Sequence, residues 1–334
     1  MAQIINDYWL DAPFDNQNAG FSRWTTATKN GREFFIKEFF DPVYPMDASV
    51  APAVREHRIR ECEQYEQAKR KFYSALNTFS DGNLVRVEEF FRCDAHYYLV
   101  TEKIRADYKT ADAIALLPEK DRLMVCLTAA HGLMLLHRAG IVHADIKETN
   151  VLIRRSPGGI PVAKIIDFDS GYFEADAPES GEELGGDFVY LSPEACRFMC
   201  GEEVRMTCKA DVFSMGLLFH QYLTGDLPWY DRDHFEYAYE AVLEGGMLKL
   251  SPHLDEIDPR LKSLIRGMLL RDPESRTSSE YVYEQLREIV CPPVAEELWG
   301  DTPYESEPEM EGPEAEIPDE NFDPAAYFHM GGNL

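Results

Sequence analysis

Apolar residues follow two rhythms along this chain. Between residues 20 and 40 they fall in strand-like runs. Trp24-Thr25-Thr26-Ala27-Thr28 and Glu33-Phe34-Phe35-Ile36-Lys37-Glu38-Phe39-Phe40 are β-branched and aromatic segments joined by Lys29-Asn30-Gly31, a hairpin signature. Residues 1–15 read as a polar lead-in, and 41–50, with two prolines, as a loop. From 52 to 76 the spacing becomes helical, with Ile59, Cys62, Tyr65, Phe72 and Leu76 on one stripe. Two further strands are predicted at 83–91 and 97–104. Beyond residue 105 the pattern is helical, and 123–137 is apolar on most faces, as in a buried helix.

That buried helix leads into residues 141–153, IVHADIKETNVLI, which carry the densest candidate chemistry. Asp145, Lys147 and Asn150 lie within one short loop. Fourteen residues past the loop, the apolar run Ala163-Lys164-Ile165-Ile166 delivers Asp167-Phe168-Asp169. A base, a cation, an amide and a second carboxylate converging from two strand ends can set a hydroxyl against a metal-bound phosphate. The two segments resemble the H-R-D-x-K-x-x-N loop and D-F-G segment of the eukaryotic-type (Hanks-type) Ser/Thr protein kinase superfamily. The resemblance implies an α+β, two-lobed kinase fold. Residues 1–104 would be the nucleotide-binding N-lobe, 105–292 the catalytic and substrate-binding C-lobe, and 293–334 an acidic disordered tail.

It also implies roles. Asp145 would accept the proton of the attacking hydroxyl, and Lys147 would neutralise the transferred phosphoryl group. Asn150 and Asp167 would hold Mg²⁺ or Mn²⁺ on ATP. Phe35-Ile36-Lys37 resembles V-A-I-K, so Lys37 would bind the α- and β-phosphates. Its glutamate partner would come from the 52–76 helix. Periodicity does not choose between Glu61 and Glu66; the shorter insertion to the next strand favours Glu66. Thr101 would be the gatekeeper, with Glu102 and Ile104 offering backbone groups to adenine. Lysine two residues beyond the base is the choice typical of Ser/Thr kinases.

Further segments extend the resemblance. Gly186-Asp187-Phe188-Val189-Tyr190-Leu191-Ser192-Pro193-Glu194 is similar to the end of an activation segment. Asp211 stands where the family ties down the catalytic-loop backbone, and Arg276 where it buries a partner for Glu194. Three features depart. In the phosphate-covering loop Gln17, Ala19 and Ser22 occupy glycine positions, leaving only Gly20 nearby, so the backbone cannot approach phosphate as freely. Ala144 replaces the arginine before the base. Asp169 replaces the glycine of D-F-G, adding a carboxylate near the metals or capping a turn.

Composition narrows the partners. Net charge is −27, which argues against nucleic acid or an anionic membrane surface and towards basic partners. Residues 167–194 hold nine Asp and Glu and no Lys or Arg, which favours protein substrates that are basic around the phosphorylated hydroxyl. Thirteen acids and no Lys or Arg follow Arg287. This tail ends in an aromatic cluster that could dock in cis or on a partner. Seven scattered cysteines imply reduced thiols and a cytoplasmic protein. Cys196, Cys200 and Cys208 lack the fourth ligand of a zinc pattern. No signal peptide or membrane span is expected. The reading is an ATP-dependent Ser/Thr protein kinase. Its rivals are a pseudokinase scaffold and, further off, a small-molecule kinase.

Overall fold

The hairpin read from the sequence forms the centre of the upper sheet. In the computed structural model, which describes residues 3–16, 22–47, 49, 51–79 and 82–292, β1 (Ile4–Ile5) and β2 (Tyr8–Leu10) precede it. β3 (Ser22–Lys29) and β4 (Arg32–Phe39) pair antiparallel from Ser22↔Phe39 to Lys29↔Arg32. Asn30 and Gly31 close the turn at φ 52° and 73°, the left-handed backbone that a two-residue hairpin needs. After α1 (Pro52–Phe79), β5 (Val87–Cys93) and β6 (His96–Glu102) complete a six-stranded sheet in the order β1-β2-β3-β4-β6-β5.

Two expectations change here. Residues 1–15 are not only a lead-in: β1 and β2 extend the sheet. Tyr8 stands edge-on to Phe34 at 5.4 Å and stacks on Phe91 at 6.3 Å. Strands of two and three residues carry too little alternation to be read. The strand expected from residue 83 begins at Val87. Asn83 instead donates to Ala163 O (2.8 Å), and Leu84 bridges Ile165 in parallel.

Below the sheet the chain is helical. α2 (Ala111–Ala115) and the apolar α3 (Glu119–Arg138) lead to β7 (Ile141–Val142), β8 (Val151–Arg155), β9 (Pro161–Ile165) and β10 (Tyr172–Phe173). Then come α4 (Pro193–Met199), α5 (Lys209–Thr224), α6 (Ala238–Leu243), α7 (His253–Ile257), α8 (Pro259–Met268) and α9 (Ser279–Val290). α5 stops where Gly225 turns left-handed at φ 90° and its N–H returns to Gln221 O (2.8 Å). α3 and α5 are packed on most sides: Val125, Leu133, Leu136, Phe213, Leu217 and Tyr222 are all within 1 % of full burial. The architecture is the two-lobed α+β arrangement. Among the described residues no helix is long and apolar enough to cross a membrane.

Candidate active site

Strand alternation places the first site residue. On β4, Phe34 and Ile36 point into the sheet's outer core with Tyr8 and Val100, which sends Phe35 and Lys37 to the opposite face. That face lines a cleft with Val85, Leu99, Thr101, Ile104 and Leu152, closed at its inner end by Asp167, Phe168 and Asp169. Its walls are mostly apolar and its charged groups sit at one end, the layout of a small-molecule site. Phe35, stacked on Trp24 at 5.3 Å, stands where V-A-I-K has alanine. Thr101 is buried at the back, and the segment Glu102–Ile104 borders the cleft. Gly20 lies outside the described residues.

The loop between β7 and β8 hangs from one buried carboxylate. Asp211, at the start of α5, accepts from His143 N (2.7 Å) and Ala144 N (2.9 Å) and pairs with His137 Nε2 (3.0 Å). Ala144 takes φ 65°, a strained turn that these bonds stabilise. His143 is fully buried. Its Nε2 donates to Ile166 O (2.9 Å), its Nδ1 accepts from Asp145 N (3.2 Å), and its ring lies 4.8 Å from Phe168. One imidazole thus couples the loop to the segment after β9.

Asp145, Lys147 and Asn150 converge. Asn150 Nδ2 donates to Asp145 O (2.9 Å) and Oδ2 (2.8 Å), and Lys147 Nζ lies 2.8 Å from the same Oδ2. Asp145 Oδ1 is buried with no partner. Ile166 N donates to Asn150 O (2.9 Å), so Asn150 and Asp167 are neighbours. Among the described residues no three His, Cys, Asp or Glu cluster as a self-sufficient metal cage. Mg²⁺ does not need one, since it takes one or two carboxylates and completes its shell with phosphate and water oxygens. The Asn150 amide oxygen and the Asp167 carboxylate are donors of that hard kind.

The lysine's partners differ from the expectation. Lys37 Nζ bonds Asp167 Oδ1 (2.6 Å) and Asp169 Oδ2 (2.8 Å). Burial pulls its pKa down, but Asp169 and then Asp167 outweigh that and hold the ammonium above its ordinary value. Burial likewise opposes the Asp167 carboxylate, and Lys37 overrides it, leaving the pKa below the usual range. Neither candidate glutamate reaches Lys37. Glu66 bonds Arg70 one turn on (2.8 Å), and Glu61 faces His57 (3.3 Å). Glu61 is exposed, and Glu66, half-buried beside the stripe of Cys62, Phe72, Tyr73 and Leu76, turns to Arg70. The side chain of α1 that reaches the Asp169 backbone is the half-buried Lys69, which the sequence did not single out. A lone lysine at helical spacing between Tyr65 and Tyr73 was the available signal.

Below the site, Arg276 and Glu194 form a buried fork, Nη1–Oε1 at 2.5 Å and Nη2–Oε2 at 2.9 Å. Arg276 also donates to Lys209 O and Leu270 O and lies over the Phe213 ring. α4 starts at the Ser192 cap with Pro193 in its first turn.

This geometry agrees with the comparisons. A family described as protein kinase domain matches residues 50–287. The chain belongs to the protein kinase family. More particularly, its curated relatives include Ser/Thr protein kinases. It is 28 % identical over 236 residues to serine/threonine-protein kinase PknL of Mycobacterium tuberculosis, covering 69 % of this chain and 56 % of PknL. It is 26 % identical over 200 residues to calcium/calmodulin-dependent protein kinase type II of Caenorhabditis elegans, covering 59 % and 27 %. It is 25 % identical over 283 residues to serine/threonine-protein kinase ATG1a of Arabidopsis thaliana, covering 82 % and 40 %. The chain thus spans about half or less of the length of these relatives. Lys37 and the phosphate-covering loop precede the matched family span.

Proposed function

We propose that this chain is an active Ser/Thr protein kinase that transfers the γ-phosphoryl group of ATP to a protein hydroxyl. The observation that carries the reading is Asp145. Lys147 and Asn150 hold one carboxylate oxygen, and the other is buried without a partner. An unfilled acceptor of that kind is costly unless a donor arrives, and a substrate hydroxyl is the donor the loop chemistry calls for. Lys147, paired with Asp145, would offset charge on the transferred group. Asn150 and Asp167 would hold Mg²⁺, and Lys37 would hold ATP phosphates. The bound metal supplies charge neutralisation on the phosphates, which with positioning is most of phosphoryl-transfer catalysis.

The activation segment supports activity without prior phosphorylation. Ala144 offers no arginine to capture a phosphate; it packs instead with the apolar cluster of Leu184, Leu191 and Met206. Tyr172 and Phe173 pair with Val142 and Ile141, and Tyr190 bonds Gln221 (2.8 Å).

The test is phosphate incorporation from labelled ATP with Mg²⁺ or Mn²⁺, into the protein and into a basic peptide, with phosphatase-treated protein alongside and Asp145→Asn as blank. Incorporation absent from the blank supports the reading. Nucleotide binding without incorporation favours the scaffold alternative, which the glycine-poor phosphate-covering loop, Asp169 in place of glycine and the bulky Phe35 in the cleft support.

A further inference from the structure

Two departures sit against each other. Asp169 replaces a glycine after Phe168, and the half-buried Lys69 of α1 lies beside it. Lys69 Nζ approaches Asp169 O at 3.5 Å. It has no carboxylate within ion-pair distance among the described residues. It lies 5.9–6.0 Å from the ring centroids of Phe39, Tyr65, Phe72 and Tyr73. These rings offset part of the cost of burying a cation.

Asp169 reaches in two directions. Its Oδ2 accepts from Lys37 Nζ (2.8 Å) and from Ser22 Oγ (3.3 Å), the first residue of β3. Its Oδ1 is buried and unpartnered. The carboxylate therefore joins three segments: the metal-binding turn, the strand carrying Lys37, and the strand leaving the phosphate-covering loop.

We propose that Asp169 and Lys69 are an exchanged charge pair, with Asp169 the positioning residue that fixes Lys37 for the nucleotide in place of an acid on α1. The charge count explains the exchange. Lys37 is buried and Lys69 half-buried, two cations close enough to repel one another, and Asp167 is needed by the metal. A single acid would leave an uncompensated ammonium in a low-dielectric site. With Asp169 the cluster balances at two and two. Because Asp169 follows Asp167 by two residues in the same turn, the setting of Lys37 follows the turn after β9 rather than the position of α1. In this chain, movement of α1 would uncouple less readily into loss of the lysine's partner. Ser22 adds a second tie where the loop lacks glycine.

The proposal rests on the kinase reading for the meaning of Lys37, and its test does not depend on phosphate transfer. Affinity for ATP, read with a fluorescent ATP analogue, and thermal unfolding without nucleotide are compared in wild type, Asp169→Asn, Asp169→Gly, Lys69→Glu and Asp169→Gly/Lys69→Glu. Asp169→Asn is expected to weaken nucleotide binding roughly tenfold or more, as for one partner lost from a buried charge pair, and to lower the unfolding temperature. The double variant is expected to recover both measures relative to Asp169→Gly, since the acid then stands on α1. A folded Asp169→Asn protein with wild-type affinity and stability overturns the proposal. So does a double variant no better than Asp169→Gly. If wild-type protein binds no ATP, the kinase reading fails, and the unfolding temperatures alone decide the charge exchange.

Discussion

The helical layer below the cleft and the α1 side above it treat charge differently. Below, Asp211 under the catalytic loop and Arg276 against Glu194 occupy the places expected of them, each with several buried hydrogen bonds. Above, α1 presents a lysine where an acid was expected, and the acid comes from Asp169. The lower groups each hold backbone as well as a side chain, so no single replacement elsewhere could reproduce them. The upper pair needs only a carboxylate near an ammonium. Several positions can supply that, so the two charges can trade places while their sum stays fixed.

Four expectations would break or sharpen this contrast. The largest concerns the loop itself: Asp145→Asn should reduce phosphate transfer by about 10²–10⁴-fold, read in the labelled-ATP assay, with unfolding temperature little changed. Retained transfer would remove Asp145 from the chemistry. Next, Arg276→Met should destabilise the fold by about 3–5 kcal/mol, because Glu194 is left as an uncompensated buried charge. A urea midpoint close to wild type would show that the fork is dispensable.

The pH dependence should be smaller. His220 is buried, and burial holds its pKa below 6.5. Its Nδ1 faces Asp226 O (2.6 Å) and its Nε2 accepts from Ser251 N (3.0 Å), a neutral ring. The unfolded chain binds this proton more readily, so stability from His220 is present above pH 6.5 and is lost as pH falls through the folded value. His220→Gln should flatten the unfolding temperature between pH 7 and 5; an unchanged slope would assign the acid lability elsewhere. The smallest expectation is for Glu66→Gln. Its ion pair with Arg70 is solvent-facing, so stability should move by no more than about 0.5 kcal/mol and ATP affinity not at all. A tenfold loss of affinity would restore Glu66 as the partner of Lys37.

How far the sequence could be read follows from the same contrast. The loop Asp145–Asn150 and the segment Asp167–Asp169 are contiguous motifs, and their convergence needed only two strand ends. The hairpin was readable from Asn30-Gly31 and its flanking aromatics. The partner of Lys37 was not, because it depends on which face of a 28-residue helix packs inward. Glu61 and Glu66 straddle that face. Lys69 is half-buried there, but a lysine in that place makes sense only once Asp169 is seen beside it. β1 and β2 were missed because their register is set by Tyr8 packing on Phe34 and Phe91, contacts far apart in sequence.

The most direct test of the account is a crystal structure with a non-hydrolysable ATP analogue and Mg²⁺. In that complex Asp167 should turn to the metal while Lys37 keeps Asp169 and meets the phosphates, with Lys69 still among its four rings. A complex in which Lys37 leaves Asp169 for Glu66 or Glu61 would contradict it.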